Sequence, residues 1–425
     1  MTAITFTPFD WPSETPEDCP FPPSPLWRGI RFMGRCSDYR VGDTFYPTWG
    51  ADDVLYSPFT DGAVDGLFSW SSGFVQGGEP VDNPQFTGGF LTRRATTGHA
   101  RLVGDDPLNL RIEPIGLHAA DPYPYGGRYP CGSLHHEGVW YYGTYCLSPY
   151  AETPYGGQLY NWPHLGPLVG FRISRDNGRT WVDTPHTPAR PLFGECGLCG
   201  YPVKIGAPHF VDFGRNMEHS PDGFAYLVAQ GSDLALQPGS RFGHLSWITA
   251  DQVYLLRVRP TPETINDPGA YEFYAGQDEA ARPRWSGDFR EIRPLLEWKG
   301  RMGCVTATWL PAHRRFILCV TDGGNTCSHM HTYFLEAEAL TGPWRMVSYL
   351  RNFGQQAYFV NIPSKFLRPD SESLWIAYSG NFAPEWNGER IEVHPPGTRY
   401  GLVLQEVRFQ ERLAASGAPH PTRPR

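Results

Sequence analysis

Two short acidic motifs contain residue types that could carry out chemistry. Asp43 lies in Gly-Asp-Thr-Phe (42–45), and Asp61 lies in Thr-Asp-Gly (60–62), at the end of a neighbouring apolar run. Two carboxyl groups on adjacent strands can face one cavity, where one donates a proton and the other acts as a base or nucleophile. The alternative is that both Asp residues only accept hydrogen bonds from backbone N–H groups at strand ends.

Aromatic side chains crowd around both motifs. Tyr46 and Trp49 follow the first motif, and Tyr56 and Phe59 precede the second. Aromatic faces suit stacking against sugar rings, and an apolar surrounding raises the pKa of a carboxyl group. We therefore expect a paired-carboxylate site that hydrolyses glycosidic bonds, with Tyr46 and Trp49 in contact with the sugar.

Further polar residues at predicted strand ends are candidates for the same site. Glu218, in a loop after APHFVDF (207–213), is a third candidate acid, and the alternative is a solvated Glu–His pair. His135 and His136 precede a turn, where strand alternation directs one imidazole inward unless both face water. The candidate ligands for sugar hydroxyls or a carboxylate are Lys204, His209, Asn361 and Lys365.

A recurring pattern of strands should position these residues. Each group opens with an apolar or small-residue strand, continues with a strand that ends in aromatics, and adds one or two amphipathic strands. The clearest second strands are residues 54–61, 138–145, 224–231, 315–322 and 373–380. These groups predict an all-β fold, a five-bladed β-propeller of four-stranded antiparallel sheets whose first strands line a central channel.

The outer strands and the chain ends complete this prediction. The segments RTWVD (179–183) and PWRMVSYL (343–350) are predicted fourth strands, and WRGIRFMGR (27–35) is predicted to close the last blade. We expect an N-terminal arm over 1–26, a single propeller domain over 27–410 and a C-terminal tail over 411–425. Both ends are Pro-rich or low in large apolar side chains, which is typical of surface arms or disorder.

The octet SRDNGRTW (174–181) predicts a tight hairpin, because Asn and Gly tolerate positive φ and Asp accepts local backbone bonds. It resembles the Asp-box, S-x-D-x-G-x-x-W, of outer hairpins in sialidase-like β-propellers. The resemblance implies a structural hairpin, carrying Asp176 and Trp181, that is remote from the active site.

The order of the landmarks resembles that of the five-bladed propeller glycoside hydrolases. The two acidic motifs, the Asp-box, the segment R-V-x-P…I-N-D-P-x-A-Y-E-F-Y-A-G and A-L-T-G-P-W follow one another over roughly residues 40–380. Within that group the chain is most similar to the endo-D-arabinanase family. The resemblance implies two catalytic acids in the first blade, at Asp43 and Asp61, and other five-bladed hydrolases, with a general-acid Glu in the third blade, imply Glu218.

Composition and charge exclude several classes of protein. The net charge of -8, without a Lys/Arg cluster, disfavours a nucleic-acid partner. No run approaches the roughly 18 apolar residues of a membrane span. The N-terminus lacks the basic start and apolar core of a signal peptide, so we expect a cytoplasmic protein, or a secreted one if a leader was removed.

The cysteines leave open whether the protein binds a zinc ion. The nine cysteines include Cys196-Gly-Leu-Cys199, which has metal or redox spacing, and Cys327 near His329 and His331. Free thiols or a local disulfide are the alternatives to a zinc site. A structural metal ion in the central channel stays open, without a ligand motif to hold it.

The sequence therefore supports three functional hypotheses, all with a carbohydrate partner. The first is a glycoside hydrolase of poly- or oligosaccharides that uses paired carboxylates. The second is a propeller-fold polysaccharide lyase, in which His and Tyr abstract a proton next to a uronate carboxylate. The third is a carbohydrate-binding propeller without activity.

Overall fold

The computed structural model describes residues 2–71, 75–76, 79–80, 95–122, 125, 127–148, 164–194, 203–233, 247–323, 329–368, 371–380 and 393–412. Within these ranges the chain forms five antiparallel sheets in a ring around a central channel. The prediction of an all-β, five-bladed β-propeller is confirmed. The calls that rest on Cys196, Cys199 and Cys327 lie outside the described residues.

The first part of the chain supplies an arm and the first blade. The arm contains β1 (Thr2–Thr5) and β2 (Phe9–Trp11), and β3 (Trp27–Tyr39) follows it. The first blade contains β4 (Thr48–Trp49), β5 (Leu55–Phe59), two hairpins made of β6 (Gly62–Val64), β7 (Leu67–Ser69), β8 (Val75–Gln76) and β9 (Glu79–Pro80), and then β10 (Ala95–Val103) and β11 (Arg111–Ala120).

The other four blades follow in chain order. Blade two contains β12 (Gly127–His136), β13 (Val139–Ser148) and β14 (His164–Ser174). Blade three contains β15 (Val203–Phe210), β16 (Ala225–Asp233), β17 (Gln252–Val258), β18 (Glu272–Gln277), β19 (Pro283–Ser286) and β20 (Leu296–Glu297). Blade four contains β21 (Gly303–Leu310), β22 (Arg315–Asp322), β23 (His331–Ala337) and β24 (Arg345–Leu350). Blade five contains β25 (Ala357–Asn361), β26 (Leu374–Gly380) and β27 (Leu402–Glu411).

Helical structure is limited in the described part of the chain to short 3₁₀ turns, at Arg215–Met217, Pro268–Ala270, Phe289–Glu291 and Ser364–Phe366. In these residues no helix is long and apolar enough to cross a membrane.

The five predicted second strands are confirmed as β5, β13, β16, β22 and β26. In β5 and β26 every residue is buried, because blades pack on both faces of each sheet. Such strands read as nearly continuous apolar runs, which is why they were legible in the sequence.

Blade two differs from the prediction of a fourth strand at 179–183. Only Val182 pairs with β14, through a single bridge to Ile173. Pro185 and Pro188 follow directly and lack the N–H groups that would extend the ladder. The Asp-box octet forms the loop before this bridge, where the Asp176 carboxylate accepts bonds from the Thr180 N–H (2.9 Å) and hydroxyl (2.6 Å).

All inner strands run in the same direction along the channel, which gives the ring two distinct ends. The bridge between Asp212, after β15, and Thr308 in β21 is parallel, whereas each inner strand is antiparallel to its second strand. At the upper end, inner strands begin and second strands end. At the lower end, inner strands turn into second strands, as at the hairpin between His136 and Val139.

The last blade closes through a strand from the N-terminus. β3 pairs with β27, from Tyr39 opposite Leu402 to Trp27 opposite Glu411, so the predicted closure by residues 27–35 is confirmed. β1 and β2 both pair with β3 and cover its outer edge, which limits edge-to-edge association.

We expect Ile30→Ala in β3 to lower the free energy of unfolding by about 2–5 kcal/mol, because Ile30 is fully buried in the cluster that closes the ring. Urea denaturation followed by tryptophan fluorescence measures this change. Ile4→Ala in β1, where the side chain is half-exposed, should cost clearly less. Equal losses in the two variants would contradict a closing role for β3.

Candidate active site

Asp43 and Asp61 lie next to each other at the upper end of the first blade. Asp43 precedes the inner strand, and Asp61 follows β5. The Asp43 N–H donates to the Thr60 carbonyl (2.7 Å), and the Thr60 N–H donates to the Asp43 carbonyl (2.9 Å). This paired bridge puts Asp61 directly beyond the residue that is bonded to Asp43.

Two glycines allow these backbones to approach so closely. A Cβ on Gly42 would lie 2.5 Å from the Thr60 carbonyl oxygen, and a Cβ on Gly62 would lie 2.7 Å from the Gly42 Cα. Neither contact is tolerated by a larger residue. The Gly-Asp and Asp-Gly order in the two motifs therefore serves the juxtaposition of the carboxyl groups.

The backbone at the pair is held in a conformation that non-glycine residues rarely adopt. Thr44 has φ 62° and Asp61 has φ 47°, and Thr44 is β-branched, which makes its φ a clear outlier. The Ser379 hydroxyl accepts from the Thr44 N–H (3.3 Å), and the Tyr400 hydroxyl donates to the Asp61 carbonyl (2.6 Å). Strain of this kind, held in place by its surroundings, is concentrated at functional sites.

Asp43 is the more buried carboxyl group of the pair. It accepts hydrogen bonds from the Tyr358 hydroxyl and from the Thr44 hydroxyl (2.9 Å). Burial, with the neighbouring charge of Asp61 as the second cause, raises the pKa of Asp43 to about 8. The group is therefore protonated near neutral pH and can donate a proton.

Asp61 lies in a more polar environment and is partly exposed. Its carboxylate accepts from the Ser71 N–H (2.7 Å), and the Ser71 hydroxyl lies 2.8 and 2.7 Å from its two oxygens. The pKa of Asp61 is raised overall by burial, and the bonds from Ser71 offset part of this rise. These donors favour the ionised form, so the two carboxyl groups are suited to opposite roles.

Tyrosine and tryptophan side chains surround the pair. Tyr358 packs edge-on against Trp247, with ring centroids 4.9 Å apart, and Tyr129 contacts Tyr145 at 5.8 Å. The Tyr145 hydroxyl interacts electrostatically with Asp43. The described residues around the pair are therefore aromatic and rich in hydroxyl groups, which suits contact with a sugar.

Sequence reasoning missed Tyr358, Tyr400 and Ser71. Tyr358 lies near the start of an inner strand, the same kind of position that pointed to Asp43, so its place was accessible from the pattern. Ser71 and Tyr400 reach the pair from a loop and from the residues before β27, where no periodicity marks them.

Tyr46, His209 and Asn361 lie deeper in the channel. The rings of Tyr46 and His209 contact each other at 3.7 Å, and Asn361 donates to the Phe45 (3.2 Å) and Phe359 (2.9 Å) carbonyl oxygens. Beside them lies a cavity of about 30 Å³, enough for one water molecule. A sugar ring does not fit at this depth.

The metal ion that the sequence left open has no cluster of side-chain ligands among the described residues. Among the residues that the structure describes, no three His, Cys, Asp or Glu side chains are close enough to hold one. Burial lowers the pKa of His209 to about 3, so its imidazole is neutral, and neither ring nitrogen has a hydrogen-bond partner among the described residues.

Five sequence candidates lie at the lower end, away from the carboxyl pair. Trp49 donates to the Asp53 carboxylate (2.8 Å), and the Lys365 ammonium donates to the Asp53 carbonyl. His136 Nδ1 lies 3.1 Å from the Asn216 carbonyl oxygen. The lower-end candidates are Trp49, His135, His136, Glu218 and Lys365.

Strand direction explains why these candidates and the carboxyl pair lie at opposite ends. Asp61 follows a second strand, which ends at the upper end. His136 is the last residue of an inner strand, and Glu218 and Lys365 follow inner strands, which end at the lower end. The Glu218 side chain is 51% exposed and accepts only from the Arg215 N–H (3.2 Å) in the described structure. Lys204 lies near the start of β15, at the upper end, but its side chain is outside the described part of the structure.

Comparisons with known proteins give backbone likenesses only. No family model matches the chain, and no curated protein matches its sequence. A putative hydrolase from Bacteroides ovatus is 10% identical over 93% of this chain and 94% of that one, with a TM-score of 0.46. A GH43_1 enzyme from Xanthomonas citri, complexed with xylotriose, is 12% identical over 89% of each chain, with a TM-score of 0.44. An α-L-arabinofuranosidase from Podospora anserina, in complex with cellotriose, is 9% identical over 92% and 99%, with a TM-score of 0.43.

The raised carboxyl pKa values predict that stability falls as pH rises. The folded state binds more protons than the unfolded chain between the ordinary Asp pKa near 4 and the Asp43 pKa of about 8, so the free energy of unfolding decreases across this window. Asp43→Asn removes this titration. At pH 8 we expect the free energy of unfolding of this variant to exceed that of the parent by on the order of 1 kcal/mol or more, which raises its Tm by a few degrees. Near pH 4 the two Tm values should be nearly the same.

Asp176→Asn is the matched control, because hydrogen bonds from Thr180 lower the pKa of Asp176 to about 2 and reverse the sign. Its Tm should be at or below that of the parent at pH 8. An Asp43→Asn variant that melts lower than the parent at pH 8, by differential scanning calorimetry, would contradict the burial of an ionisable carboxyl group.

Proposed function

We propose that the protein is a glycoside hydrolase in which Asp43 is the general acid and Asp61 is the carboxylate base or nucleophile. One observation carries the proposal. Two Asp residues lie side by side, one buried with a pKa of about 8 and the other bonded to the N–H and hydroxyl of Ser71. Two titratable groups whose environments suit them to opposite protonation states are the arrangement that acid–base hydrolysis needs.

The chemistry follows from this arrangement. Asp43 would donate its proton to the glycosidic oxygen as the bond to the anomeric carbon breaks. Asp61 would either take a proton from the attacking water or attack the anomeric carbon itself, and the separation of the two groups decides between these. Proton NMR of the first product anomer distinguishes inversion from retention.

The surroundings of the pair favour a neutral sugar. In the described structure, no Lys, Arg or His side chain makes a hydrogen bond or ion pair with Asp43 or Asp61. A uronate would bring a negative charge next to these two carboxyl groups, to which the described residues offer no cation, and this is unfavourable. Arabinan is the first glycan to test, because the sequence resembles the endo-D-arabinanase family.

The same facts weigh against the lyase. Its candidate bases, His135 and His136, lie at the lower end, where His135 Nε2 is 2.9 Å from Asn177 Oδ1. A binding-only propeller does not explain why a strained backbone keeps two carboxyl groups together at the channel mouth. A hydrolase accounts for the paired carboxyl groups and needs no catalytic His at the lower end.

The direct test is hydrolysis of a panel of arabinan, xylan, cellulose oligosaccharides and pectin. We expect reducing ends to appear without the ultraviolet absorbance of an unsaturated uronate. Asp43→Asn and Asp61→Asn should each lose activity by about 100-fold or more, because acid and base groups contribute 10²–10⁴-fold.

Glu218→Gln is the control, because Glu218 is exposed at the other end of the channel. The activity of this variant should match that of the parent. Full activity in both Asn variants would remove the pair from the site. Loss of activity in Glu218→Gln would overturn the separation of the two ends.

The rate should show a bell-shaped dependence on pH. Activity should rise as Asp61 ionises and fall as Asp43 loses its proton at a pH near 8, because only the mixed state is competent. The profile of kcat/KM against pH measures both limbs in the free enzyme. An alkaline limb that stays in place when Tyr358→Phe removes the hydrogen bond to Asp43 would contradict the assignment of Asp43 as the acid.

A further inference from the structure

Tyr400 presents an unusual combination of exposure and anchoring at the channel mouth. The residue as a whole is 39% exposed, and among the described residues only Val182, at 69%, is another exposed large apolar residue. Val182 lies in blade two, beside the Asp-box loop. Tyr400 instead lies beside the carboxyl pair.

The hydroxyl end of Tyr400 is fixed and buried, while another part of the residue is open to solvent. The hydroxyl donates to the Asp61 carbonyl at 2.6 Å and interacts electrostatically with both carboxyl groups and with Tyr129. An aromatic side chain has only two rotatable bonds, so this one anchor holds the ring in a single orientation.

The segment that carries Tyr400 is itself held on several sides. Arg399 forms an ion pair with Asp38 (3.1 Å), and its carbonyl accepts from the Gly380 N–H (3.0 Å). The Thr398 and Tyr378 hydroxyls are bonded at 2.7 Å. These contacts make Tyr400 a rigid surface in advance of ligand binding.

Extending the proposed function, on which this inference rests, we propose that the ring of Tyr400 is the stacking platform for a neutral sugar residue bound beside Asp43 and Asp61. The C–H face of a sugar ring is apolar and packs against the face of an aromatic ring, and this contact needs no charged group. A fixed platform lowers the entropy cost of binding because the side chain is ordered beforehand. Tyr400 also holds the strained peptide of Asp61, which makes its hydroxyl a positioning group.

The two roles have separate readouts. Tyr400→Ala and Tyr400→Leu remove the flat ring, so KM should rise by about tenfold. Tyr400→Phe keeps the ring and loses the bond to Asp61, so KM should change little while kcat falls. Tyr226→Phe is the matched control, because Tyr226 loses an equivalent bond, to Asp222 (2.7 Å), in blade three.

A binding experiment makes the test independent of turnover. Calorimetry on Asp43→Asn would use arabinotetraose, xylotetraose and cellotetraose as probes, with Tyr400→Ala or Val182→Ala added. We expect at least one tetrasaccharide to bind, an affinity about tenfold weaker with Tyr400→Ala, and no change with Val182→Ala. Circular dichroism and Tm confirm that each variant is folded.

The outcomes separate this inference from the proposed function. Hydrolysis by the parent with an unchanged KM in Tyr400→Ala and Tyr400→Leu would overturn the platform and leave the hydrolase. Tyr400-dependent binding without hydrolysis of any glycan would leave the platform and overturn the hydrolase. If nothing is bound and nothing is hydrolysed, both are wrong.

Discussion

Placing two carboxyl groups side by side away from water is the constraint on which the site depends. Burial disfavours the charge on Asp43, and the charge on Asp61 disfavours it further. Burying the pair therefore lowers the free energy of unfolding, and several features of the fold hold the pair in place. Gly42 and Gly62 permit the close approach, and the hydroxyls of Tyr358 and Tyr400 bond to the pair.

The propeller can carry this strain because its ring is closed on itself. At the lower end, the Asp212 carboxylate accepts from the Ser364 N–H (2.8 Å) and hydroxyl (2.6 Å), and the Asp212 backbone is bonded to Ala307 and Trp309. One residue thus ties blade three to blades four and five. The same set of inner strands thus carries these bonds between blades at the lower end and the carboxyl pair at the upper end.

Much of the fold could be predicted because propeller strands are buried on both faces and leave long apolar runs. The closure by residues 27–35 was legible for a related reason, since the strand at QEVRFQE had no partner later in the chain. The carboxyl pair was found because Gly-Asp and Asp-Gly sit at the ends of two neighbouring strands.

The rest of the site was harder to predict because a strand-end motif does not state which end of the channel it occupies. Glu218 and His136 look like Asp61 in sequence, as polar residues after an apolar run, but they follow strands of the opposite direction. Tyr400 has no strand pattern around it, and only the folded chain shows that its hydroxyl reaches Asp61.

The division of labour between Asp43 and Asp61 is the central claim, and leaving-group dependence tests it most directly. A nitrophenyl glycoside of the released sugar needs little proton donation, because its leaving group departs as an anion. If Asp43 is the acid, the loss of activity in Asp43→Asn, relative to the parent, should be at least about tenfold smaller on this substrate than on the glycan. Asp61→Asn should lose the same factor on both substrates. Equal loss on both substrates for Asp43→Asn, or recovery by Asp61→Asn instead, would contradict the account.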